Sequence, residues 1–253
     1  MGIHKEALLG TLLLALGLSA CNGADGGSMQ VAQDQVTGTP ASIPPGGVGP
    51  GSGTPPSGGA PSTAKLGSPC SSADSSHMCL ALKYVVYKNT AGSDVIGSTT
   101  ALSNLATINS IWSQCNISFQ IDEFVEANPA DYGLSYNTPT QGELDSIRGA
   151  FVGKNTLLVA TTGAWSGSLG AGAANAWTTL PGGGNYGVVL EGPVGNFAPI
   201  IAHELGHYLN LDHVSDGSDV MNPIISSSST GLTASQCSAA RSAVSYYWTA
   251  MLR

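Results

Sequence analysis

The chain has 253 residues, room for one or two domains, with a net charge of −8 and only 9% charged residues. This balance excludes a basic nucleic-acid footprint, and no nucleic-acid partner is expected. Low charge with abundant Gly, Ser, Thr and Asn is common in exported proteins, so the acidity by itself names no partner.

Residues 1–20 read as a signal peptide. Lys5 gives a weakly positive start, and Ala7 to Leu18 is an apolar run too short for a comfortable membrane span. Leu18-Ser19-Ala20-Cys21 follows, with small residues before a cysteine. This resembles the lipobox of bacterial lipoproteins. The resemblance implies cleavage before Cys21, lipid on Cys21 and a membrane partner through that anchor. The competing reading is an ordinary secretory signal with a chance cysteine. Asn22, where an aspartate would mark inner-membrane retention, leans the expected location in the bacterial cell envelope towards the outer membrane.

Residues 21–69 read as a tether. Eight of the 14 prolines fall there, among Gly, Ser and Thr. Few large apolar residues are present to offset the cost of ordering the backbone. A flexible spacer with short extended pieces is expected. Residues 70–253 then form one domain, large enough for a sizeable core. It holds Cys70, Cys79, Cys115 and Cys237. An even count in an exported chain suggests two disulfides. Three pairings are open; Cys70–Cys79 as a local loop and Cys115–Cys237 as a long staple are favoured. A sharper idea is that Cys70 or Cys79 supplies a thiolate that plugs a metal until a propeptide is removed. The stretch "GSPCSSADSSHMC" lacks the Pro-Arg-Cys-Gly context of such switches.

Along the domain, "LKYVVYKNT" alternates and reads as a strand. "STTALSNLATINSIWSQC" spaces Leu102, Leu105, Ile108, Ile111 and Trp112 as a helix, with Ser98 to Thr100 as candidate caps. "NISFQIDEFV" is a strand, "TPTQGELDSIRGAF" a short helix entered after Pro139, and "NTLLVATTG" a buried strand. "GAANAWTTL" and "YGVVLEG" are two more strands across the turn "PGGGN". "APIIAHELGHYLNL" is an apolar-striped helix. "GLTASQCSAARSAVSYYWTAML" is a closing helix with Thr233 as N-cap. The order gives an α/β plan, a mixed sheet with helices on one side.

Three of the five histidines fall within "HELGHYLNLDH". On a helix His203 and His207, four residues apart, project from one face and can share one tetrahedral ion. Glu204 is rotated by about 100° from His203, so it can reach a water at the metal without being a ligand. This is the H-E-x-x-H arrangement, in which zinc acidifies a water and the glutamate takes its proton. His213, six residues after His207, can join only if the chain turns sharply. Asp212 is a rival third ligand, and His77, far upstream in a polar loop, reads as a surface residue.

"HELGHYLNLDH" followed by "SDVMNP" resembles the metzincin clan of zinc peptidases, and its Met-x-Pro ending (Met221, Asn222, Pro223) looks most like the matrixin branch. The resemblance is close over 203–223 and looser, through element order, over 82–251. It implies an α/β (α+β metzincin-like) fold: a mixed twisted sheet with an edge strand along the cleft, an active-site helix, a Met-turn and a C-terminal helix. It implies Zn2+ on His203, His207 and His213, Glu204 as general base, and Met221 beneath the metal. Asn210 stands where the clan has a glycine in the left-handed conformation that turns the chain. Asparagine is the residue besides glycine that best tolerates it.

On the substrate side the resemblance implies a peptide added along a sheet edge. "GAANAWTTL" is the expected edge, with "PGGGNYG" bulging beside the cleft, and Trp177 is either cleft wall or an ordinary packed aromatic. Ile225 stands where matrixins place a pocket-wall tyrosine. No tyrosine directly follows Met221, and Tyr246 and Tyr247 read as packing residues. The expected activity is that of a monomeric zinc endopeptidase acting on peptides or proteins. The alternatives are a non-catalytic metal-binding surface module, which would have no use for Glu204, and an amidase acting on cell-wall peptides.

Overall fold

The computed structural model describes residues 28–30, 63–72, 76–172, 174–181 and 185–253. The expected signal peptide, Cys21, most of the expected tether and the glycines of "PGGGN" lie outside the described residues. The elements are β1 (Ser28–Gln30), β2 (Thr63–Leu66), β3 (Met78–Tyr87), α1 (Ser98–Trp112), β4 (Ile117–Ala127), α2 (Gln141–Phe151), β5 (Leu157–Thr161), α3 (Gly167–Gly170), β6 (Ala176–Trp177), β7 (Val188–Leu190), α4 (Ala198–Tyr208), β8 (Ile224–Ser226) and α5 (Ala234–Tyr247).

Six strands form one mixed sheet in the order β2-β4-β3-β5-β7-β6. The inner strands β4, β3, β5 and β7 run parallel, and β2 and β6 close the two edges antiparallel. Parallel strands are covered on both faces and so read as continuous apolar runs. In β3, Leu80, Leu82, Tyr84 and Val86 face the main core with α1, α4 and α5. Val85 and Tyr87 face a second core with Leu144, Ile147 and Phe151 of α2. Helices therefore cover both faces, not one. The expectation went astray because α2 carries few apolar residues and its burying stripe is narrow.

Three other expectations are corrected. The sheet begins inside the stretch read as tether: β2 pairs with β4, and Leu66 packs against the main core. One alternating segment suffices to add an edge strand, whatever the prolines before it. The backbone of β1 also pairs, antiparallel, with β8. The edge expected over "GAANAWTTL" shrinks to Ala176–Trp177, because its Gly, Ala and Asn residues lack the branched or aromatic side chains that favour strands. Finally, α1 starts after Gly97 with no side-chain cap, whereas Thr233 caps α5 in a capping box with Gln236 as expected.

The disulfides are Cys70–Cys79 and Cys115–Cys237, with Cα separations of 5.6 and 4.7 Å. Both match the favoured pairing, and they leave no thiolate at Cys70 or Cys79 to act as a switch. Such cross-links belong to an extracytoplasmic domain. Among the described residues no helix is long and apolar enough to cross a membrane.

Candidate metal centre

All eleven residues of α4 are buried. The helix packs against β7 and β6 and alongside α1, and Trp112 of α1 donates its indole N–H to the Ala202 carbonyl at 3.2 Å. This burial delivers His203 and His207 into the core rather than to solvent, at 0% and 2% exposure.

The helix ends where the sequence requires. Asn210 has φ +64°. Its N–H donates to the His207 carbonyl at 2.9 Å, and that of Leu211 donates to the Gly206 carbonyl at 3.0 Å. These two bonds around a left-handed residue make a Schellman ending. The chain reverses within three residues and brings His213 back to the other two.

The three Nε2 atoms then lie 2.9, 3.2 and 3.2 Å apart. His203 Nδ1 meets the Val220 carbonyl at 2.6 Å and His207 Nδ1 meets the Leu211 carbonyl at 2.7 Å. A carbonyl only accepts, so both Nδ1 atoms carry a proton, and in a neutral ring that leaves Nε2 as the donor atom for a metal. Burial, then the neighbouring imidazoles, hold His203 well below its ordinary value, so it is neutral. Three ring nitrogens facing one another at this spacing leave room for a cation between them. An ion at the ordinary zinc–imidazole distance of about 2.0–2.1 Å from each fits a triangle of this size. Three imidazole nitrogens in one cluster suit zinc best among the common divalent ions. His203, His207 and His213 are the one cluster of metal-donor side chains of this kind among the described residues.

The rivals separate cleanly. Asp212 is exposed and outside the cluster. His77 Nε2 hydrogen-bonds Ser118 Oγ at 2.8 Å, remote from the metal centre in sequence and contacts. Glu204 is 1% exposed on α4, and Met221 is fully buried. A Cβ on Gly206 would lie 2.2 Å from Met221 Sδ, so the methionine occupies the space that this glycine leaves open against the helix.

Several parts of the site escaped the sequence reading. The Val220 and Leu211 carbonyls orient two ligands, and backbone atoms leave no trace in residue types. Gly206 has no side chain, so nothing in its residue type announces that another side chain fills its space. Asp219 accepts the Met221 N–H at 2.7 Å; an aspartate bonding the backbone two residues on is a recognisable turn device and was the available signal.

Beside the centre, the edge β6 is short and mostly covered. Ala176 is fully buried, Thr178 nearly so, and Trp177, Thr179 and Leu180 are half-buried. Arg148 of α2 braces it. Its Nη2 donates to the Trp177 carbonyl at 3.0 Å and its Nε to the Gly187 carbonyl at 2.9 Å. Burial pulls this guanidinium below its ordinary value, while Asp145 and then Glu204 hold it up. Trp177 packs against the second core, so it is a packed strand aromatic. Ile225, at the pocket-wall position, is fully buried in the main core. Tyr247 packs there too, and Tyr246, though 43% exposed, packs edge-on against Tyr247 with ring centroids 4.6 Å apart.

Against known proteins, no curated protein matches. Among solved structures, the crystal structure of metalloproteinase-II from Bacteroides fragilis is similar at 14% identity and a TM-score of 0.47, over 65% of this chain and 53% of that one. The chain thus spans about half the length of that protein. The profile of the peptidase M10 family, Matrixin, matches residues 78–240, from the first residue of β3 into α5 and across all three histidines. A match over more than half of the sequence places this chain in the matrixin family.

Proposed function

We propose that the chain is a zinc-dependent endopeptidase. The observation that carries this reading is the convergence of three Nε2 atoms, with a buried glutamate next to His203 on the same helix. A zinc ion held by His203, His207 and His213 would supply Lewis acidity, polarising a peptide carbonyl and making a water more acidic. Glu204 takes the proton of the attacking water on its carboxylate and gives it to the leaving amine nitrogen. The Val220 and Leu211 carbonyls keep the imidazoles in one tautomer while charge develops. Burial of α4 excludes competing water. The peptide lies as an extra strand along the sheet edge. Because Ala176 and Thr178 are covered, the half-buried Thr179 and Leu180 continue this edge beyond β6.

Purified protein should cleave internal bonds of quenched peptides, with activity lost to a chelator and restored by zinc. Zinc-loaded protein that cleaves none would favour a non-catalytic binding module. Cleavage confined to muropeptides would favour a cell-wall amidase.

We also propose that the mature chain starts at an acylated Cys21, after a signal peptide of residues 1–20. A Pro/Gly-rich spacer would follow, and the catalytic domain would work as a monomer in the cell envelope, with outer-membrane placement favoured by Asn22. The sequence Leu18-Ser19-Ala20-Cys21 supports this. A fatty-acid probe should label the wild type and not Cys21→Ser; an unlabelled, released wild type would refute the anchor.

A further inference from the structure

The carbonyl that orients His203 belongs to Val220, in the turn beneath the metal centre, so whatever fixes that turn also aims a zinc ligand. Val220 N–H donates to the Gly231 carbonyl at 2.9 Å. Its two neighbours are fixed by one side chain. The Asp219 carboxylate is buried, at 5% exposure. Its Oδ1 accepts the Met221 N–H at 2.7 Å and the Gln236 Nε2–H at 3.0 Å. Asp219 is also held by its backbone, donating to the Asp216 carbonyl and accepting from Asn222 N–H, both at 3.1 Å.

Gln236 is itself held at both ends of its amide. Its Oε1 accepts the Thr233 N–H at 2.7 Å, closing the capping box of α5. The next residue, Cys237, is disulfide-bonded to Cys115 just beyond α1. An unbroken series of bonds therefore runs from the cross-linked start of α5 through Gln236 and Asp219 to the turn, and from Val220 to His203.

A buried carboxylate is costly unless its hydrogen bonds repay the desolvation. Packing alone would be served better by an apolar residue. What the carboxylate adds is one acceptor atom that joins two separate elements. We infer that Asp219 is a positioning residue for the zinc ligand His203, and that Gln236 fixes it to α5. This goes beyond the proposed activity but rests on the three histidines holding zinc.

The test compares zinc affinity by chelator competition, the visible spectrum of the cobalt-substituted protein, and the melting temperature of the metal-free protein. Asp219→Ala should weaken zinc binding about 10- to 100-fold, the usual effect of losing a group behind a metal ligand, and shift the cobalt bands. Asp219→Asn, whose Oδ1 still accepts both bonds, should stay within about threefold of wild type. Gln236→Ala leaves the Met221 bond intact and should fall between, at about three- to tenfold. It serves as the second variant if Asp219→Ala does not fold. Wild-type zinc affinity and cobalt bands in these alanine variants, with only the melting temperature lowered, would reduce Asp219 to a structural residue and overturn the inference. A wild type that binds no zinc would refute the zinc site itself, and the inference with it.

Discussion

Glu204→Gln should keep about one zinc per chain and lose peptidase activity by at least about 10²–10⁴-fold, the usual contribution of a positioned acid–base group. Glutamine matches glutamate in shape and fits the same buried space on α4. It cannot accept a proton. The three Nε2 atoms that form the metal cluster are untouched by the change. The measurement pairs metal content with turnover on one preparation. Emptying of the site in the glutamine variant would mean that Glu204 is a ligand. Retained turnover would mean that another group moves the proton.

His213→Ala should lose zinc, with affinity falling by more than the roughly 10–100-fold typical of changes behind a ligand. Two imidazoles on one helix cannot close a three-nitrogen site. A subtler version acts through delivery. Asn210 holds φ +64°, where glycine pays no steric cost. Asn210→Gly should therefore bind zinc and turn over nearly as wild type. Asn210→Val forces a β-branched residue into that region, with strain of about 1–3 kcal/mol. It should bind zinc roughly tenfold more weakly and cleave more slowly. Equal zinc affinity in the valine and glycine variants would show that the left-handed turn does not govern the third ligand.

The parts of this protein that show in its sequence are those written in side chains at fixed spacing. The histidine triad and the turn at Asn210 follow from helix geometry and the tolerance of asparagine for positive φ. The disulfides follow from cysteine count and context. What did not show depends on long-range partners. The second core is built by α2 residues that meet β3 and β5 only after the sheet forms. β2 is a strand because β4 offers it an edge, not because its own composition demands it. The collapse of the expected edge strand to two residues reflects an overestimate of what small side chains can hold. The Asp219–Gln236 contact joins residues 17 apart through a hydrogen bond that no periodicity encodes.

The contact between Gly206 and Met221 changes what counts as a transplantable unit. A Cβ at 206 would collide with Met221 Sδ at 2.2 Å and approach Cε at 3.0 Å, so the two positions divide one volume between them. An engineer who moved "HELGHYLNLDH" alone onto a foreign helix would carry the ligands but leave an empty notch at the glycine. Moving the methionine turn without that glycine would bring a sulfur with nowhere to go. Any portable cassette has to carry both positions, from α4 through Met221 at the least, and a larger residue at 206 would be tolerated only with a smaller one at 221.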